Sequence, residues 1–498
     1  MTNHYKSILI VGNSDIGLAL IQVAQVLKEK HGSRLVLVVN TAEDRALFER
    51  RYPGLFDAIE ESQFRYRSVM EPMSDDERWF AEARDLELRY AFKFAHLLMD
   101  DRHFGIGFSA GGTRYPETAW NRRASYAKAV RSYVLFVRFF ERLFDEHGTT
   151  LVLNPLKSCE IVARGRGVPT RTLTAACFKN YWTWACNEFM ESNLLPEAYR
   201  AASSEPAEQV TGHYDIYLQT RQDMLRRFRL PATLRNIGYE FARYVYCHAR
   251  RLQKRFGLRP FETAAAHVRI WADYRKLRRH KPVSLAALDG KDFVYLPLSV
   301  EPEVTLTRES PEFNHQAFAV HAIASNLPAG TVLAVKEHLS TIGTRPKDFY
   351  RSLAKIPNVV LLDPLEWGLD VMRKSRAVAT INGTSGFEAA AQGIPVLTFS
   401  VHNKYNLMPH VRVVSGWHDM PAALAEVLAA SAQEPGMRIS NGNKYLNALT
   451  SISIDCGNAN FRKGLEPGLV DAMTGLLDRT LAAEAKAEPR ELSRVSAV

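Results

Sequence analysis

Short runs rich in β-branched and other apolar residues recur through the second half of the chain, and they constrain its fold more than any other feature. Five of these runs are 292–298, 332–338, 359–363, 377–382 and 395–399. Helical patterns such as FNHQAFAVHAIASNL and WGLDVMRKS lie between them. Strands that alternate with helices form parallel sheets covered by helices on both faces. The second half therefore predicts an α/β domain built on a parallel sheet.

The first half shows the same alternation. A strand-like run at 7–12 is followed by a helical pattern at 16–31 and a second strand-like run at 34–40, and the pattern returns between 150 and 175. The turn after the first strand has neither the glycine spacing of a dinucleotide fingerprint nor the lysine of a P-loop, so it predicts no cofactor. The sequence thus predicts two Rossmann-like domains.

Positive charge is concentrated between these two halves. The chain carries a net charge of +10, yet residues 221–281 alone contain 17 Lys or Arg against four acidic residues, a net of +13. Tyr, Phe and Leu interleave with the basic residues at helical spacing, which predicts basic amphipathic helices. Such a connector is either a solvated helical link or a surface for anionic lipid headgroups or an acidic polymer. Nucleic acid is not expected as a partner, because no nucleic-acid motif accompanies the charge.

The remaining composition limits the class of protein. The five cysteines are scattered, without a Cys-x-x-Cys pair or a histidine at metal-ligand spacing, so neither a disulfide framework nor a zinc site is predicted. The N-terminus lacks the pattern of a signal peptide, and no apolar run approaches the roughly 18 residues of a spanning helix. We expect a cytoplasmic protein that is at most peripheral at the inner membrane.

These patterns predict four regions. They are an N-terminal α/β domain (1–215), a basic helical connector (216–285), a C-terminal α/β domain (286–480) and a flexible charged tail (481–498). Two α/β domains joined in this way create a cleft, and ligands of parallel sheets bind beyond the carboxyl ends of the strands.

The stretch INGTSGFEAAAQGIPVLTFS places a Gly-Thr-Ser-Gly turn between a strand and a helix. The N-terminus of a helix favours an anion, typically phosphate, because its first N–H groups lack partners and its dipole is positive there. The hydroxyls of Thr384 and Ser385 add donors, and Gly383 and Gly386 let an anion approach the backbone. From the first turn of that helix, Glu388 could accept hydrogen bonds from a ribose diol.

A purely structural interpretation of this turn remains open, in which Ser385 caps the helix and Glu388 closes a capping box. Two other polar groups favour the binding interpretation. The strand-like run VLAVKEH contains Lys336 and His338 near its end, and Arg345 follows in the next loop. Because the carboxyl ends of parallel strands share one edge of the sheet, these side chains are predicted to meet the turn there.

Three longer segments carry a family resemblance. YLPLSVEPE, VKEHLSTIGTRPKDFYRSLAKIPNVVLLDP and INGTSGFEAAAQGIPVLTFSVHNKYN together resemble the bacterial capsule and surface polysaccharide biosynthesis proteins, relatives of the capsule Kdo transferases. The resemblance extends from about residue 290 to 415. It implies a GT-B architecture, in which two Rossmann-like domains face a cleft and the C-terminal one binds a sugar nucleotide without a metal. No cofactor is then expected besides the sugar nucleotide, which is the donor substrate.

The resemblance also assigns site residues by position. The Lys-Glu-His motif of the family falls on Lys336, Glu337 and His338, and its Gly-Thr-Ser-Gly-x-Glu motif on residues 383–388. This sequence has Leu339 where the family usually has proline, and Ser400 where it usually has glycine.

The resulting expectation is a glycosyltransferase that moves a sugar from a nucleotide donor to a lipid-linked or polymeric acceptor. Lys336, His338 and the helix at Ser385 would stabilise the leaving nucleoside phosphate, while a base of the N-terminal domain activates the acceptor hydroxyl. Asp15, in the first strand-to-helix turn, is the predicted base. Its competitors in the glycine-rich segment 100–120 are Asp101, His103 and Glu117.

Two rival functions stay open at this stage. One is a glycerol-phosphate or sugar-phosphate transferase on the same fold, which would also need a basic phosphate cleft. The other is a non-catalytic scaffold of the polysaccharide assembly complex.

Overall fold

The computed structural model describes most of the chain. The residues outside this description are 1–3, 13–16, 101–124, 209–213, 254, 256–257, 280–281, 301–305, 307–309, 311–312, 314, 344, 346–347, 462 and 487–498.

The strands of the described residues form two sheets. They are β1 (Ser7–Val11), β2 (Arg34–Val39), β3 (Ala58–Glu61), β4 (Leu151–Leu153), β5 (Thr170–Ala175), β6 (Tyr181–Ala185), β7 (Phe293–Pro297), β8 (Val332–Lys336), β9 (Val359–Leu362), β10 (Ala377–Thr380), β11 (Val396–Thr398), β12 (Val411–Val413) and β13 (Ile454–Asp455).

The α-helices of the described residues surround and connect these sheets. They are Gly17–His31, Ala42–Arg51, Phe64–Ser68, Asp76–Tyr90, Phe94–Asp100, Tyr126–His147, Lys157–Gly165, Leu195–Ala201, Tyr214–Arg227, Leu230–Ala249, Pro260–Arg279, Gln316–Asn326, Phe349–Leu353, Gly368–Lys374, Thr384–Ala391, Met420–Ser431, Gly436–Ser451 and Pro467–Lys486. Four short 3₁₀ segments are Leu285–Leu288, Leu339–Thr341, Lys404–Leu407 and Trp417–Asp419.

The N-terminal sheet has the strand order β3-β2-β1-β4-β5-β6-β13. The first five of these strands are parallel, whereas β6 is antiparallel to β5 and β13 is antiparallel to β6. All five residues of β1 are buried, as expected for a central strand that is covered by helices on both faces.

The C-terminal sheet has the order β9-β8-β7-β10-β11-β12, and all of its strands are parallel. The chain builds outward from β7 in one direction, then returns to the other side of β7 at β10. This is the strand order of a doubly wound nucleotide-binding fold, and its switch point lies between β7 and β10. The predicted α/β class with two Rossmann-like domains is therefore confirmed.

Alternating residues of each strand enter different cores. In β7, Phe293 and Tyr295 belong to one hydrophobic cluster, while Val294 and Leu296 belong to the cluster on the opposite face of the sheet. This period of two follows from the pleat of a strand. Residues two apart in a strand therefore share a face of the sheet, and adjacent residues lie on opposite faces.

The connector is helical, as predicted. The helices Leu230–Ala249 and Pro260–Arg279 pack against each other, and the second of them contacts the C-terminal domain. There Phe228, Leu277 and Ile342 form a small buried cluster. The backbone N–H of Gln253, between the two helices, donates to a Glu43 carboxylate oxygen of the N-terminal domain at 2.7 Å. The connector therefore contacts both domains.

The end of the chain returns to the N-terminal domain. Within the predicted range 286–480, β13 pairs with β6, and the helix Pro467–Lys486 packs on Gly17–His31. The fully buried Arg171 of β5 holds this last helix: its Nε donates to Thr480 Oγ1 at 2.8 Å and its Nη2 to the Thr480 carbonyl at 3.1 Å. The predicted tail at 481–498 begins inside this helix, where Leu481 is buried.

The described residues contain neither a membrane-spanning helix nor a metal-binding cluster. Among them, no helix is both long and apolar enough to cross a membrane. In the same part of the chain, no group of three or more His, Cys, Asp or Glu side chains is placed to hold a metal ion.

Candidate functional site

The candidate site lies at the carboxyl edge of the C-terminal sheet, around the switch point between β7 and β10. Three segments leave the sheet there: the segment after β7, which begins with Leu298 and Ser299, the loop after β8 and the turn after β10. Lys336 is the last residue of β8 and pairs in register with Pro297 and Leu362. The sheet thus places the two polar segments predicted from the sequence, the loop after β8 and the turn after β10, at one edge, together with the segment after β7.

The helix that follows β10 begins earlier in the turn than the sequence pattern indicates. The helix begins at Thr384, and Gly383 is the N-cap, without any side-chain capping hydrogen bond. Ser385 is therefore already the second helical residue and does not cap the helix. The capping-box interpretation of Ser385 and Glu388 is wrong for this geometry, because a capping box needs the Ser at the N-cap itself.

The start of this helix is open to a ligand. Among the described residues, the backbone N–H groups of Thr384 and Ser385 have no backbone acceptor, as is usual for the first turn of a helix. Thr384 is exposed and Ser385 is partly exposed. Two unpaired N–H groups, two hydroxyls and the positive end of the helix dipole are a suitable arrangement for a phosphate.

Gly386 has a packing role in this turn, and its predicted role in letting an anion approach the backbone stays a prediction. A Cβ at this position would lie 2.6 Å from Thr380 Cγ2, closer than real contacts allow, and it would also overlap the Tyr405 hydroxyl. Only glycine therefore lets the helix sit this close to β10. The Thr380 hydroxyl is buried beneath the turn and has no hydrogen-bond partner among the described residues.

Glu388 lies in the second turn of the same helix, and its carboxyl is mostly buried. Burial raises the pKa of its carboxyl to about 7. Within the described part of the chain, this carboxylate has no hydrogen-bond or ion-pair partner. A mostly buried acid that lacks a partner at a sheet edge is a common feature of ligand-binding sites.

Lys336 lies on the same face of the sheet as this helix. Ala334, two residues earlier in β8, packs in the cluster that contains Phe387 and Ala389 of the helix, and side chains two apart in a strand share a face. Burial lowers the pKa of the Lys336 ammonium to about 8, against the opposing charges of Glu337, Glu366 and Asp363. The side chain therefore still carries its charge at neutral pH.

Glu337 and Arg345 lie on the opposite face and form a buried ion pair. Arg345 donates from Nε to Glu337 Oε2 at 2.7 Å, and only 2% and 3% of the two side chains is exposed. Burial alone would raise the pKa of the Glu337 carboxyl, but the charge and hydrogen bonds of Arg345 outweigh it and leave the pKa below its usual value. Thr341 and Tyr350 also donate to this carboxylate, at 2.6 and 2.8 Å.

The position of Arg345 bears on its predicted role in nucleotide binding. Its Nη2 also donates to the Ser299 carbonyl at 2.8 Å, which joins the segment after β7 to the loop after β8. The guanidinium thus holds two of the three site segments together. Direct contact between Arg345 and a phosphate stays a prediction from the sequence.

His338 follows Glu337 and is exposed at the start of the 3₁₀ segment Leu339–Thr341. Its backbone N–H donates to Glu337 Oε1 at 2.8 Å. Its Nδ1 lies 2.7 Å from Ser340 Oγ and accepts from the Ser340 backbone N–H at 3.3 Å. Because Nδ1 accepts, the neutral ring carries its proton on Nε2.

The structure adds groups that the sequence interpretation missed. Ser299 is one, since its hydroxyl lies 4.0 Å from the place where a Cβ of Gly383 would stand. Glu366 and Asp363, which follow β9, are two more because they act on Lys336. The sequence signal that could have identified these three residues is their position at or just after the ends of predicted strands. The predicted base Asp15 and its competitors Asp101, His103 and Glu117 lie outside the described residues.

A comparison with protein-family models bears on this site. Residues 216–406 match the family described as capsule polysaccharide biosynthesis protein. The resemblance to this family is thereby confirmed. The matched segment spans the connector and all the site residues described above, from β7 to the turn after β11.

Solved structures with a related outline have low similarity to this chain. KpsC from Thermosulfurimonas dismutans, a β-Kdo 2,7-transferase, is 14% identical over 58% of this chain and 80% of its own, with a TM-score of 0.29. An S. aureus MnaA–UDP complex is 10% identical over 97% and 99% of the two chains, with a TM-score of 0.29. A Neisseria meningitidis UDP-GlcNAc 2-epimerase bound to UDP-GlcNAc is 9% identical over 96% and 99%, with a TM-score of 0.23. No curated protein matches the sequence.

Proposed function

We propose that this protein is a glycosyltransferase of capsule or surface polysaccharide biosynthesis. It takes a sugar from a nucleotide-sugar donor and attaches it to a lipid-linked or polymeric acceptor. The observation that carries the proposal is that Lys336, the open start of the helix Thr384–Ala391 and the unpartnered Glu388 lie on elements that leave the same carboxyl edge of a doubly wound sheet, around its switch point. The family match over 216–406 supports the same class of function.

The donor is held by groups of complementary chemistry. The diphosphate binds at the N–H groups and hydroxyls of Thr384 and Ser385, where the helix dipole is positive. The Lys336 ammonium, enclosed on the same face of the sheet, supplies a full positive charge. Glu388 is the acceptor for the ribose hydroxyls, because a carboxylate without a protein partner is available to two O–H donors.

The chemical step is a substitution at the anomeric carbon of the donor sugar. The acceptor oxygen forms a bond to this carbon while the bond from the carbon to the phosphate oxygen breaks, and that electron pair leaves with the nucleoside phosphate. Lys336, the helix start and the Nε2–H of His338 stabilise the negative charge that develops on the leaving group. A base accepts the proton of the acceptor hydroxyl. No metal is required in this scheme, since the leaving charge is met by protein groups.

Asp15 is the proposed base. It follows β1, and the carboxyl end of β1 is at the switch point between β1 and β4 in the N-terminal sheet. The equivalent switch point of the C-terminal sheet, between β7 and β10, is the proposed location of the donor-binding groups. Placing the acceptor on the N-terminal domain and the donor on the C-terminal domain keeps the two substrates on separate sheets until transfer.

Ligand-dependent melting tests the donor site first. The full chain is heated with CMP-, UDP-, GDP- and CDP-linked compounds, and a ligand that binds only the native state stabilises it by RT ln(1 + [L]/Kd). We expect one nucleotide class to raise the melting temperature, and Lys336→Gln to remove most of that rise. Lys355→Gln, an exposed lysine of the same domain, is the matched control.

Product analysis then tests the reaction. With the nucleotide class identified, mass spectrometry of lipid-linked and polysaccharide acceptors should show addition of a sugar and release of the nucleotide. Addition of a sugar phosphate or glycerol phosphate would replace the proposal by the phosphate-transferase alternative. If no nucleotide stabilises the protein, the scaffold alternative is correct and the donor site is not functional.

A further inference from the structure

The connector hairpin, defined as residues 230–279, exposes large hydrophobic side chains that the rest of the fold leaves uncovered. Their exposed fractions range from 48% to 74%. These side chains are Leu230, Leu234, Tyr239, Val245, Tyr246, Phe261 and Val268. Scattered single apolar residues on a surface are ordinary, but a group of this size on one pair of packed helices indicates an interaction surface.

The first helix of the hairpin arranges these residues in stripes. Leu230, Leu234 and Val245 recur at spacings of four and eleven, which places them on one line along a helix of 3.6 residues per turn. Tyr239 and Tyr246 are seven residues apart and form a second line, roughly 140° around the helix from the first. The exposed surface of this helix is therefore bordered by an aliphatic line on one side and an aromatic line on the other.

Exposed arginines border the apolar stripes. Arg235, Arg243 and Arg250 are exposed on the same helix and lie on the side of the tyrosine line. On the second helix, the exposed Phe261 and Val268 are followed by the exposed Arg275. Arginine and tyrosine beside aliphatic residues suit the boundary between water and lipid, because their stems contact apolar groups while their polar ends remain hydrated.

Contacts on the inward side of the hairpin attach it to the C-terminal domain without using the exposed apolar residues. Ile270 fills the space beside Gly343, and Leu277 is buried with Ile342. Arg278 forms an ion pair with Asp363, which follows β9. These contacts attach the second helix to the C-terminal domain, so the outward face is free for a partner.

Charge decides the kind of partner. The net charge of +13 over residues 221–281 is complementary to an anionic surface, and it would make two copies of this face repel each other. An acidic polysaccharide would satisfy the arginines but would leave the apolar stripes in water. An anionic lipid bilayer satisfies both, since apolar insertion and headgroup attraction add.

We propose that the connector hairpin is a membrane-binding surface, which inserts Leu234, Tyr246 and Phe261 among the headgroups of anionic lipid. The hairpin packs on Leu339 and Ile342, close in sequence to His338. The loop that carries His338 therefore contacts the side of the hairpin that faces away from the proposed membrane surface. This surface does not depend on the proposed transferase reaction, because it uses none of the donor-binding residues.

Liposome flotation of the full chain tests the proposal. Vesicles of phosphatidylcholine alone are compared with vesicles that contain phosphatidylglycerol, at low and high salt. We expect binding to the anionic vesicles, and at least about a tenfold lower partition coefficient for the apolar-face variant Leu234→Ser/Tyr246→Ser/Phe261→Ser. The control variant Leu88→Ser/Phe318→Ser/Met437→Ser removes side chains that are exposed elsewhere by 63% or more, and it should bind as the parent does.

A charge variant separates the electrostatic contribution to lipid binding from the apolar contribution. Arg235→Gln/Arg243→Gln/Arg269→Gln should also lose binding, whereas Arg50→Gln/Lys291→Gln/Lys355→Gln removes the same charge elsewhere and should not. Full binding by the apolar-face variant, together with equal binding to an acidic polysaccharide, would overturn the proposal in favour of a polymer surface. Self-association that the apolar-face variant abolishes in sedimentation without lipid would overturn it in favour of a dimer interface.

Discussion

Arg345 holds both carboxylate oxygens of Glu337, with Nε at 2.7 Å from Oε2 and Nη2 at 2.8 Å from Oε1. The pair is buried directly behind the backbone of His338, and Glu337 also accepts from that backbone N–H. The loop after β8 is therefore positioned by a buried charge pair. Changes to this pair should act on the site through the loop.

Removing one partner of this pair should destabilise the protein strongly. Glu337→Gln leaves the Arg345 charge buried without its counter-ion, and such a loss costs about 3–5 kcal/mol of unfolding free energy. Chemical denaturation of the parent and the variant measures the difference. Glu426→Gln breaks the exposed pair with Arg412 and should cost less than about 1 kcal/mol. Equal small effects of the two substitutions would contradict a buried pair.

The pH dependence of this difference has a defined sign. The folded pKa of Glu337 is lower than its ordinary value of 4.5, so the carboxylate contributes stability above that pH and loses it as the pH falls through the lower folded value. The advantage of the parent over Glu337→Gln should be constant above about pH 5 and shrink below it. Denaturation curves from pH 3 to 8 give this profile, and a difference that grows on acidification would contradict it.

The Thr384→Ala/Ser385→Ala variant should bind nucleotide more weakly and melt as the parent does. Each lost hydrogen bond to a charged phosphate costs roughly 1.5–3 kcal/mol of binding free energy, and neither hydroxyl caps the helix. Calorimetry with the preferred nucleotide sugar measures the affinity. Thr41→Ala is the matched control, because Thr41 does cap a helix by accepting from the Asp44 N–H at 3.1 Å. It should lower the melting temperature and leave nucleotide affinity unchanged.

Glu388 should make both stability and donor affinity depend on pH near neutrality. Its folded pKa of about 7 exceeds the ordinary 4.5, so the ligand-free protein loses stability as the pH rises through 7, when this buried carboxyl must ionise. Glu388→Gln should remove that loss. Affinity for a nucleotide sugar should rise over the same interval in the parent only, since the carboxylate is the better acceptor for ribose hydroxyls.

Calorimetry at pH 6, 7 and 8 tests this dependence. A nucleotide sugar is preferable to a free nucleotide because its diphosphate does not titrate in that range. Glu434→Gln, an exposed acid of the same domain, serves as the control and should behave as the parent. Identical pH profiles for the parent and Glu388→Gln would exclude the carboxylate from the donor site.

His338→Ala should reduce sugar transfer by at least about tenfold, since the low end of a charge-assisted hydrogen bond, about 1.5 kcal/mol, corresponds to that factor. His338→Gln keeps a hydrogen-bond donor but cannot become cationic. Its turnover should therefore lie between that of the parent and that of His338→Ala. Turnover is measured per folded molecule, with the exposed His418→Ala as a control. Full activity of His338→Ala would remove the imidazole from the reaction.

Much of the C-terminal fold follows from the sequence alone. Runs of apolar residues between helical segments predicted β7 to β11 within two residues at each end, because strands buried on both faces must be apolar throughout. Gly393 follows the helix Thr384–Ala391 with a φ of 75°, the left-handed conformation in which glycine commonly ends a helix. The basic connector was equally clear, since charge and helical spacing are local properties.

Other features depend on contacts between distant residues, which a local pattern does not contain. Ser385 and Glu388 have the spacing of a capping box, but the helix begins at Thr384 with Gly383 as its N-cap, so Ser385 lies inside the helix. The motif residues Lys336 and Glu337 are adjacent in sequence and point to opposite faces of the sheet.

The return of the final helix shows the same dependence on tertiary structure. Arg171 is charged and yet fully buried, because Thr480 and Glu484, more than 300 residues later, supply hydrogen-bond acceptors and a counter-ion. Sequence patterning determines which segments become strands and helices, since hydrophobic period and turn chemistry act over a few residues. The partners of each buried charge and the position of each helix start are decided by the tertiary structure, because a buried polar group must be satisfied by whatever the fold places beside it.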